Sequence, residues 1–250
     1  MNNQNTSHTD KPVAIVTGGA KGIGAACCVE LFNKGFTVGI NYRSSKSQAE
    51  KVLSAIENQG FLLQADLSDT DQVESMVQQI KEVTGKVDVL VNNAGVSVNS
   101  PIHAMKIDDF DSQRSALRGA WFLTKRILRL FMLRRSQGRI INISSVTGHT
   151  GNAGQIPYTM EKAAMDAMTK SLSKELSGRN ILVNSVAPGF IDTEMTGELP
   201  EEIKKTIFAN IPLGRIGHPE EVAEVVGFLA TGGTYITGSV IHVNGGMYGG

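Results

Sequence analysis

The sequence predicts one α/β domain built on a parallel, doubly wound sheet. Three observations predict it. Short β-branched runs alternate with longer helical patterns almost throughout, which is the signature of repeated βαβ units. The strand candidates are apolar on both alternating positions, as strands covered on both faces must be. No internal repeat, low-complexity segment or linker divides the 250 residues, a length that suits one large α/β domain. A hydrophobic share of 41% is ample for a sizeable core, and 27 glycines point to tight turns or close backbone approaches.

In chain order, "PVAIVTG" reads as a buried strand and is followed by a helix over about Ile23 to Lys34. "TVGIN" is the next strand, with a helix near Lys46 to Gln59, then the strand "FLLQAD". A helix from about Asp69 leads to the strand "VDVLVNN", and a long helix covers roughly Asp108 to Arg135. "RIINISS" is the fifth strand, a helix follows from about Tyr158 to Leu176, and "ILVNSVA" is the sixth. After an irregular stretch come the helix "PEEVAEVVGFLA" and the last strand, "SVIHVNG". Residues 12–250 are thus expected to form the domain, behind a flexible polar tail at 1–11.

Formal net charge is zero, so no whole-molecule field for nucleic acid or an anionic membrane is expected. No apolar run approaches the length that spans a bilayer, and "MNNQNTSHTDK" lacks the apolar centre of a signal peptide. The two cysteines, Cys27 and Cys28, are adjacent inside a predicted helix and cannot staple the fold. A reducing, cytoplasmic setting is the simplest inference. No Cys/His cluster has metal-ligand spacing; His103, His149, His218 and His242 read as scattered structural or exposed residues.

"TGGAKGIG", Thr17 to Gly24, lies between the first strand and the first helix, where a phosphate-binding turn belongs. Gly18, Gly22 and Gly24, with Lys21 and Ile23 among them, let backbone approach a pyrophosphate at a helix N-terminus; the alternative is a glycine-rich connection without a ligand. The second strand ends in "NYRSS" and carries no acid to hold a ribose 2′-hydroxyl. Asn41, Arg43 and Ser44 stand there instead, and Arg43 with Lys21 suits a 2′-phosphate unless both are solvated surface cations. That favours NADP(H) over NAD(H). After the third strand, Asp66, beside Leu67, suits an adenine amino group or a capping role, with Ser68 or Asp69 capping the next helix. "NNAG" brings Asn93, Ala94 and Gly95 to the sheet's carboxyl edge, or is a plain asparagine–glycine turn.

Taken in order, "TGGAKGIG", "NNAG", "SSVTG", "YTMEK" and "VNSVAPGFIDTEM" resemble the short-chain dehydrogenase/reductase superfamily over nearly the whole chain after residue 11. "GRIINISSVTGHTGNAGQIPY" and the segment from "IPLGRIGHPEEV" to "VNGGMY" are most similar to bacterial 3-oxoacyl-[acyl-carrier-protein] reductases. The resemblance implies a single Rossmann domain with a seven-stranded sheet, usually a homotetramer. It implies Ser145, Tyr158 and Lys162 as catalytic residues. It places nicotinamide contacts at Pro188, Gly189, Ile191 and Thr193, with a mobile lid over about Glu194 to Pro212. The expected reaction is NADPH-dependent reduction of a 3-oxoacyl thioester on acyl-carrier protein, in fatty-acid or polyketide-like synthesis. Two other readings stand beside it: a short-chain oxidoreductase of a free alcohol, ketone or sugar, and a catalytically weak nucleotide-binding subunit acting through partners.

The spacing in "YTMEK" has a physical sense in that light, although an aromatic beside a basic stem at i,i+4 is also ordinary helix packing. A ketone reduced by hydride becomes an alkoxide and needs a proton. A tyrosine with a pKa near 10 is a sluggish donor. A cation about 4 Å away, at an effective dielectric near 20, favours the phenolate by about 4 kcal/mol. One helical turn sets Lys162 on the Tyr158 face.

Three features depart from the family pattern or qualify it. In "SALRGAW", Ala116 aligns with the asparagine that completes the family's tetrad by holding a proton-carrying water. Glu161, beside the lysine, stands where small residues are common, and its expected direction is outward to solvent. "KRILRLFMLRRSQGR", Lys125 to Arg139, has six cations and no acid. It suits docking of an acidic carrier protein, together with Arg179, or equally serves a helix C-terminus.

Overall fold

The computed structural model describes residues 11–193 and 209–249. The tail expected at 1–11 lies outside the described residues except for Lys11, as does the 194–208 part of the expected lid.

Seven parallel strands form one sheet in the order β3-β2-β1-β4-β5-β6-β7. They are β1 (Val13–Val16), β2 (Thr37–Tyr42), β3 (Gly60–Gln64), β4 (Val89–Asn92), β5 (Gly138–Ile143), β6 (Ile181–Pro188) and β7 (Val240–Val243). Among the described residues the α-helices are α1 (Gly22–Asn33), α2 (Lys46–Ala55), α3 (Thr70–Thr84), α4 (Ile107–Ile127), α5 (Leu133–Arg135), α6 (Thr147–Thr150), α7 (Ile156–Leu176) and α8 (Pro219–Thr231). Strand order reverses between β1 and β4, and the crevice at the carboxyl ends of such strands is where doubly wound sheets bind ligands. Central strands are apolar on both faces because both are covered: all four residues of β1 and of β4 are buried. The edge strand β7 is half-buried throughout.

Two cores result. On one face Cys27, Cys28 and Leu31 of α1, Val52 of α2 and Val222 and Val226 of α8 pack on the sheet. On the other, Val73 and Ile80 of α3, Leu123 and Ile127 of α4 and Leu176 of α7 do so. Both cysteines are free and buried, and burial pushes the Cys27 thiol up to about 12. Among the described residues no helix is long and apolar enough to cross a membrane.

Local chemistry sets the boundaries. Asp69 caps α3, its Oδ1 accepting from the backbone N–H groups of Asp71 (2.9 Å) and Gln72 (3.2 Å). The helix expected to reach Gln59 stops at Ala55, because Glu57 and Asn58 turn to positive φ (54° and 56°). Pro157, suited by its fixed φ to a first turn, helps start α7 two residues before Tyr158. The long helix expected to Arg135 is interrupted by a π-helical turn, Leu128–Met132, before α5. The wider turn shifts later side chains around the axis. Arg135, beyond that turn, meets Asp88 (Nη2–Oδ1 2.7 Å), while Arg126, before it, meets Glu74 (Nη2–Oε2 2.8 Å).

Candidate active site

The turn after β1 is stitched to the end of β4. Thr17 Oγ1 donates to the Val91 carbonyl (3.2 Å) and accepts from the N–H groups of Asn93 (2.9 Å) and Ala94 (3.0 Å). Asn93 returns its side-chain amide to the carbonyls of Thr17 (2.9 Å) and Gly18 (3.2 Å). "NNAG" is therefore a brace for the glycine turn rather than a simple reversal. Gly18 and Gly22 adopt positive φ (61° and 50°), and a Cβ on Gly24 would collide with the Gly18 carbonyl. Lys21, the residue before α1, provides no side-chain cap, so the first N–H groups of α1, at Gly22, Ile23 and Gly24, are left for a ligand. A pyrophosphate fits that cradle.

Around it, Asn41 is buried and turned inward. Its Oδ1 accepts from Gly18 N–H (3.2 Å) and its amide donates to Leu63 (3.1 Å) and Ala65 (3.2 Å) carbonyls. It holds the turn against β3 rather than facing outward. Arg43 and Ser44 are exposed at the end of β2. Arg43 reaches Asp66 at 3.9 Å, and Asp66 Oδ1 accepts from Ser68 N–H (2.9 Å) and Oγ (2.7 Å). Asp66 thus shapes the turn that carries Leu67 and leaves helix capping to Asp69. An exposed cation with no acid of its own strand beside it fits a 2′-phosphate. Pro188 ends β6, Gly189 passes Asn244, and Thr193 lies where a Cβ on Gly22 would come within 3.2 Å of its Cγ2. The chain after β6 therefore folds over the glycine turn.

Ser145 follows β5 and is 7% exposed. Its Oγ accepts from Thr147 N–H (3.2 Å) and Oγ1 (3.0 Å), which leaves its own proton to donate. Lys162 Nζ stands 5.5 Å from the centre of the Tyr158 ring and donates to the Ile143 carbonyl at 3.2 Å. The one-turn spacing on α7 does place the ammonium on the ring's face.

Glu161 corrects the expectation that it points to solvent. It is 4% exposed, with Oε1 3.4 Å from Lys162 Nζ. The physical reason is that the neighbouring ammonium offers a counter-charge that the apolar surroundings lack. Burial pushes its carboxyl up and Lys162 pulls it back down. The histidines are not all scattered either. His149 of α6, His242 of β7 and Tyr248 form one aromatic cluster, with ring centres 4.8 to 5.1 Å apart. His149 Nε2 lies 2.9 Å from Asp166 Oδ2, close but out of line for a hydrogen bond. They meet because β7 lies beside β6, a pairing invisible in linear spacing. His218 precedes α8 and shares a capping box with Glu221. Among the described residues no group of three or more His, Cys, Asp or Glu could hold a metal ion.

Sequence reasoning missed a buried polar chain beneath the site. Asn92 donates to Thr124 Oγ1 of α4 and Asn142 Oδ1 (both 2.9 Å). Asn142 donates to Thr169 Oγ1 of α7 (2.7 Å), which pairs with Ser185 Oγ of β6 (2.8 Å). The signal was polar residues near the ends of apolar strands, in matching register: Asn92 opposite Asn142 opposite Ser185. Gln113 of α4 was missed as well. It is 1% exposed, its amide donates to the Val96 carbonyl, and its Oε1 is buried without a partner. It lies one turn before Ala116, which is half-buried on the same helix.

Comparison with known proteins gives a consistent result. The family described as Enoyl-(Acyl carrier protein) reductase matches residues 18–248. The 3-oxoacyl-[acyl-carrier-protein] reductase FabG of Staphylococcus aureus (strain N315) is 42% identical over 240 residues, covering 94% of this chain and 97% of that protein. The enzyme of the same name from Pseudomonas aeruginosa (strain PAO1) is 44% identical over 243 residues, covering 94% and 97%. That from Aquifex aeolicus (strain VF5) is 43% identical over 241 residues, with the same coverage.

Proposed function

We propose, for a chain that belongs to the short-chain dehydrogenase/reductase family, that it reduces 3-oxoacyl thioesters carried on acyl-carrier protein, with NADPH, in fatty-acid or related acyl-chain synthesis. The observation that carries this reading is the placement of Lys162 under the Tyr158 ring and against the end of β5, two residues from Ser145. Full-length similarity to 3-oxoacyl-[acyl-carrier-protein] reductases supports the substrate class.

Gly22, Ile23 and Gly24 would hold the pyrophosphate, Arg43 and Lys21 the 2′-phosphate, and Asp66 with Leu67 the adenine side. Asn93, Ala94 and Gly95 would line the ribose side, and Pro188, Gly189, Ile191 and Thr193 the nicotinamide end. Bound NADPH supplies the hydride that adds to the substrate's carbonyl carbon. As the carbonyl π pair becomes an oxygen lone pair, Ser145 Oγ–H donates to that oxygen and opposes its growing charge. Tyr158 gives its phenolic proton to the same oxygen, completing the alcohol and leaving a phenolate that regains a proton from solvent. Lys162 stabilises that phenolate from the ring face.

The working form in this reading is a cytoplasmic homotetramer of one domain, residues 12–250. The half-exposed Trp121 of α4 and Met160 of α7 support a partner copy on that side. Of the six cations between Lys125 and Arg139, Arg126 and Arg135 pair with acids. Arg129, Arg134 and Arg179 are exposed and suit an acidic carrier protein.

The test is turnover of a 3-oxoacyl thioester on acyl-carrier protein with NADPH, run beside NADH, a 2-enoyl thioester and free ketones or sugars. The 3-oxoacyl thioester with NADPH is expected to be the best pair. Faster reduction of a free ketone or sugar, or of the enoyl double bond, would overturn the reading.

A further inference from the structure

Resting on that reading of the site, we propose that Glu161 is a positioning residue. Its carboxylate counter-charges Lys162 and keeps Tyr158 in its proton-bearing form to higher pH, which limits the phenolate that oxidation of the alcohol needs near neutrality.

The geometry is a closed cluster. Glu161 and Lys162 are each 4% exposed, and Glu161 Oε1 lies 3.4 Å from Lys162 Nζ. Both groups face the backbone of Gly95, where an added Cβ would lie 3.2 Å from Nζ and 3.7 Å from Oε1. The second carboxylate oxygen, Oε2, is buried without a hydrogen-bond partner. The carboxylate therefore has one strong neighbour, the ammonium.

Other charges near α7 are engaged elsewhere or face solvent. His149 of α6 lies against Asp166, further along α7. Arg114 and Arg118 of α4 are exposed. From β5 the group presented is the Ile143 carbonyl, which accepts from Lys162, and on α4 the uncharged amide of Gln113 is spent on the Val96 carbonyl, next to Gly95. Tyr158 is the remaining titratable group on the same face of α7. Burial opposes ionisation of Glu161 and Lys162 favours it, so the pair depends on each member.

A lone ammonium beneath a phenol favours the phenolate. With a carboxylate against it, the phenol meets a dipole, whose influence falls off faster with distance. Reduction needs the proton on Tyr158 and oxidation of the alcohol needs it gone. A counter-charged lysine thus keeps the acid form to higher pH and slows the reverse reaction near neutrality.

The test reads Tyr158 directly. The ultraviolet absorbance of tyrosinate is titrated in the full chain without cofactor or substrate, and the titration of Tyr158→Phe is subtracted. The same difference is taken with Glu161→Gln, close to the native shape, and with Glu161→Ala, so that either folded variant decides the matter. The Tyr158 midpoint is expected to fall by about one pH unit when the carboxylate is removed. Oxidation of a 3-hydroxyacyl thioester with NADP+, at a pH below the parent midpoint, is expected to rise up to about tenfold. An unchanged or higher midpoint would overturn the proposal. The absorbance titration needs no turnover, so it decides the role of Glu161 even if the thioester reading fails.

Discussion

Lys162 on α7 donates to the Ile143 carbonyl at the end of β5, 3.2 Å away. The bond fixes the ammonium between the helix that carries Tyr158 and the strand that leads to Ser145. In the proposed reaction the tyrosine hydroxyl is the proton donor and nothing else. Tyr158→Phe should therefore lower kcat by about 10²–10⁴-fold while NADPH binding stays near that of the parent. Lys162→Ala should harm both, because it removes the cation and its tie to β5. Steady-state kinetics beside a cofactor titration would check this; a Tyr158→Phe protein retaining most of its kcat would exclude the assignment.

Arg43 extends from the end of β2 with its side chain 66% exposed, and its contact to Asp66 is long at 3.9 Å. Exposed pairs of that kind contribute little, so the guanidinium is available to a 2′-phosphate. A charge-assisted contact is worth roughly 1.5–3 kcal/mol. Arg43→Ala should reduce the preference for NADPH over NADH by about tenfold or more. Equal affinities for both nucleotides in the parent would count against this cofactor assignment.

On the family resemblance Ala116 takes the place of the tetrad asparagine, which would leave α4 without a side-chain amide there. Ser145, Tyr158 and Lys162 of the proposed site are nevertheless present, so the parent should work, but slowly. Ala116→Asn should raise kcat by a fraction of the about 10²–10⁴-fold that acid–base assistance supplies. A new buried amide without partners costs about 1–3 kcal/mol, so thermal unfolding is measured alongside. A well-folded variant with no gain would point to Gln113, whose Oε1 lies buried and unpartnered one turn earlier.

His242 gives a pH dependence to stability. Burial holds its pKa below the ordinary 6.5, and His149 beside it lowers it further, against a smaller opposing pull from Asp166. A folded value below the unfolded one means that the unfolded chain takes up the proton first. Its contribution to stability should be full above about 6.5 and decline as pH falls through the folded value. His242→Phe, which keeps a ring against Tyr248, should flatten the fall of Tm below neutrality. An identical slope in parent and variant would rule His242 out as its source.

Alternation and apolar runs made the sheet and its helices legible, since each strand must be covered on both faces. The glycine turn and the Tyr158–Lys162 spacing were legible for the same reason: their geometry is local, set by a few residues on one element. What remained hidden depends on pieces far apart in the chain. Nothing near Asn142 announces that it will sit between Asn92 and Thr169, and His149 meets His242 only once β7 lies beside β6. Glu161 was misjudged for a different reason. Helical phase alone did not decide its direction, and the buried ammonium beside it did.

The two cores have a consequence for how this chain can change. The helix that begins at the glycine turn rests on one face of the sheet, and the helices bearing Ala116, Tyr158 and Lys162 rest on the other. Between them runs the wall of strands, and the two sets of buried side chains are distinct. Substitutions that loosen one compartment need not disturb the geometry of the other. Apart from Lys162, on which both depend, nucleotide retention and chemical competence should therefore be separable traits, and a descendant could keep its dinucleotide while its reactivity fades.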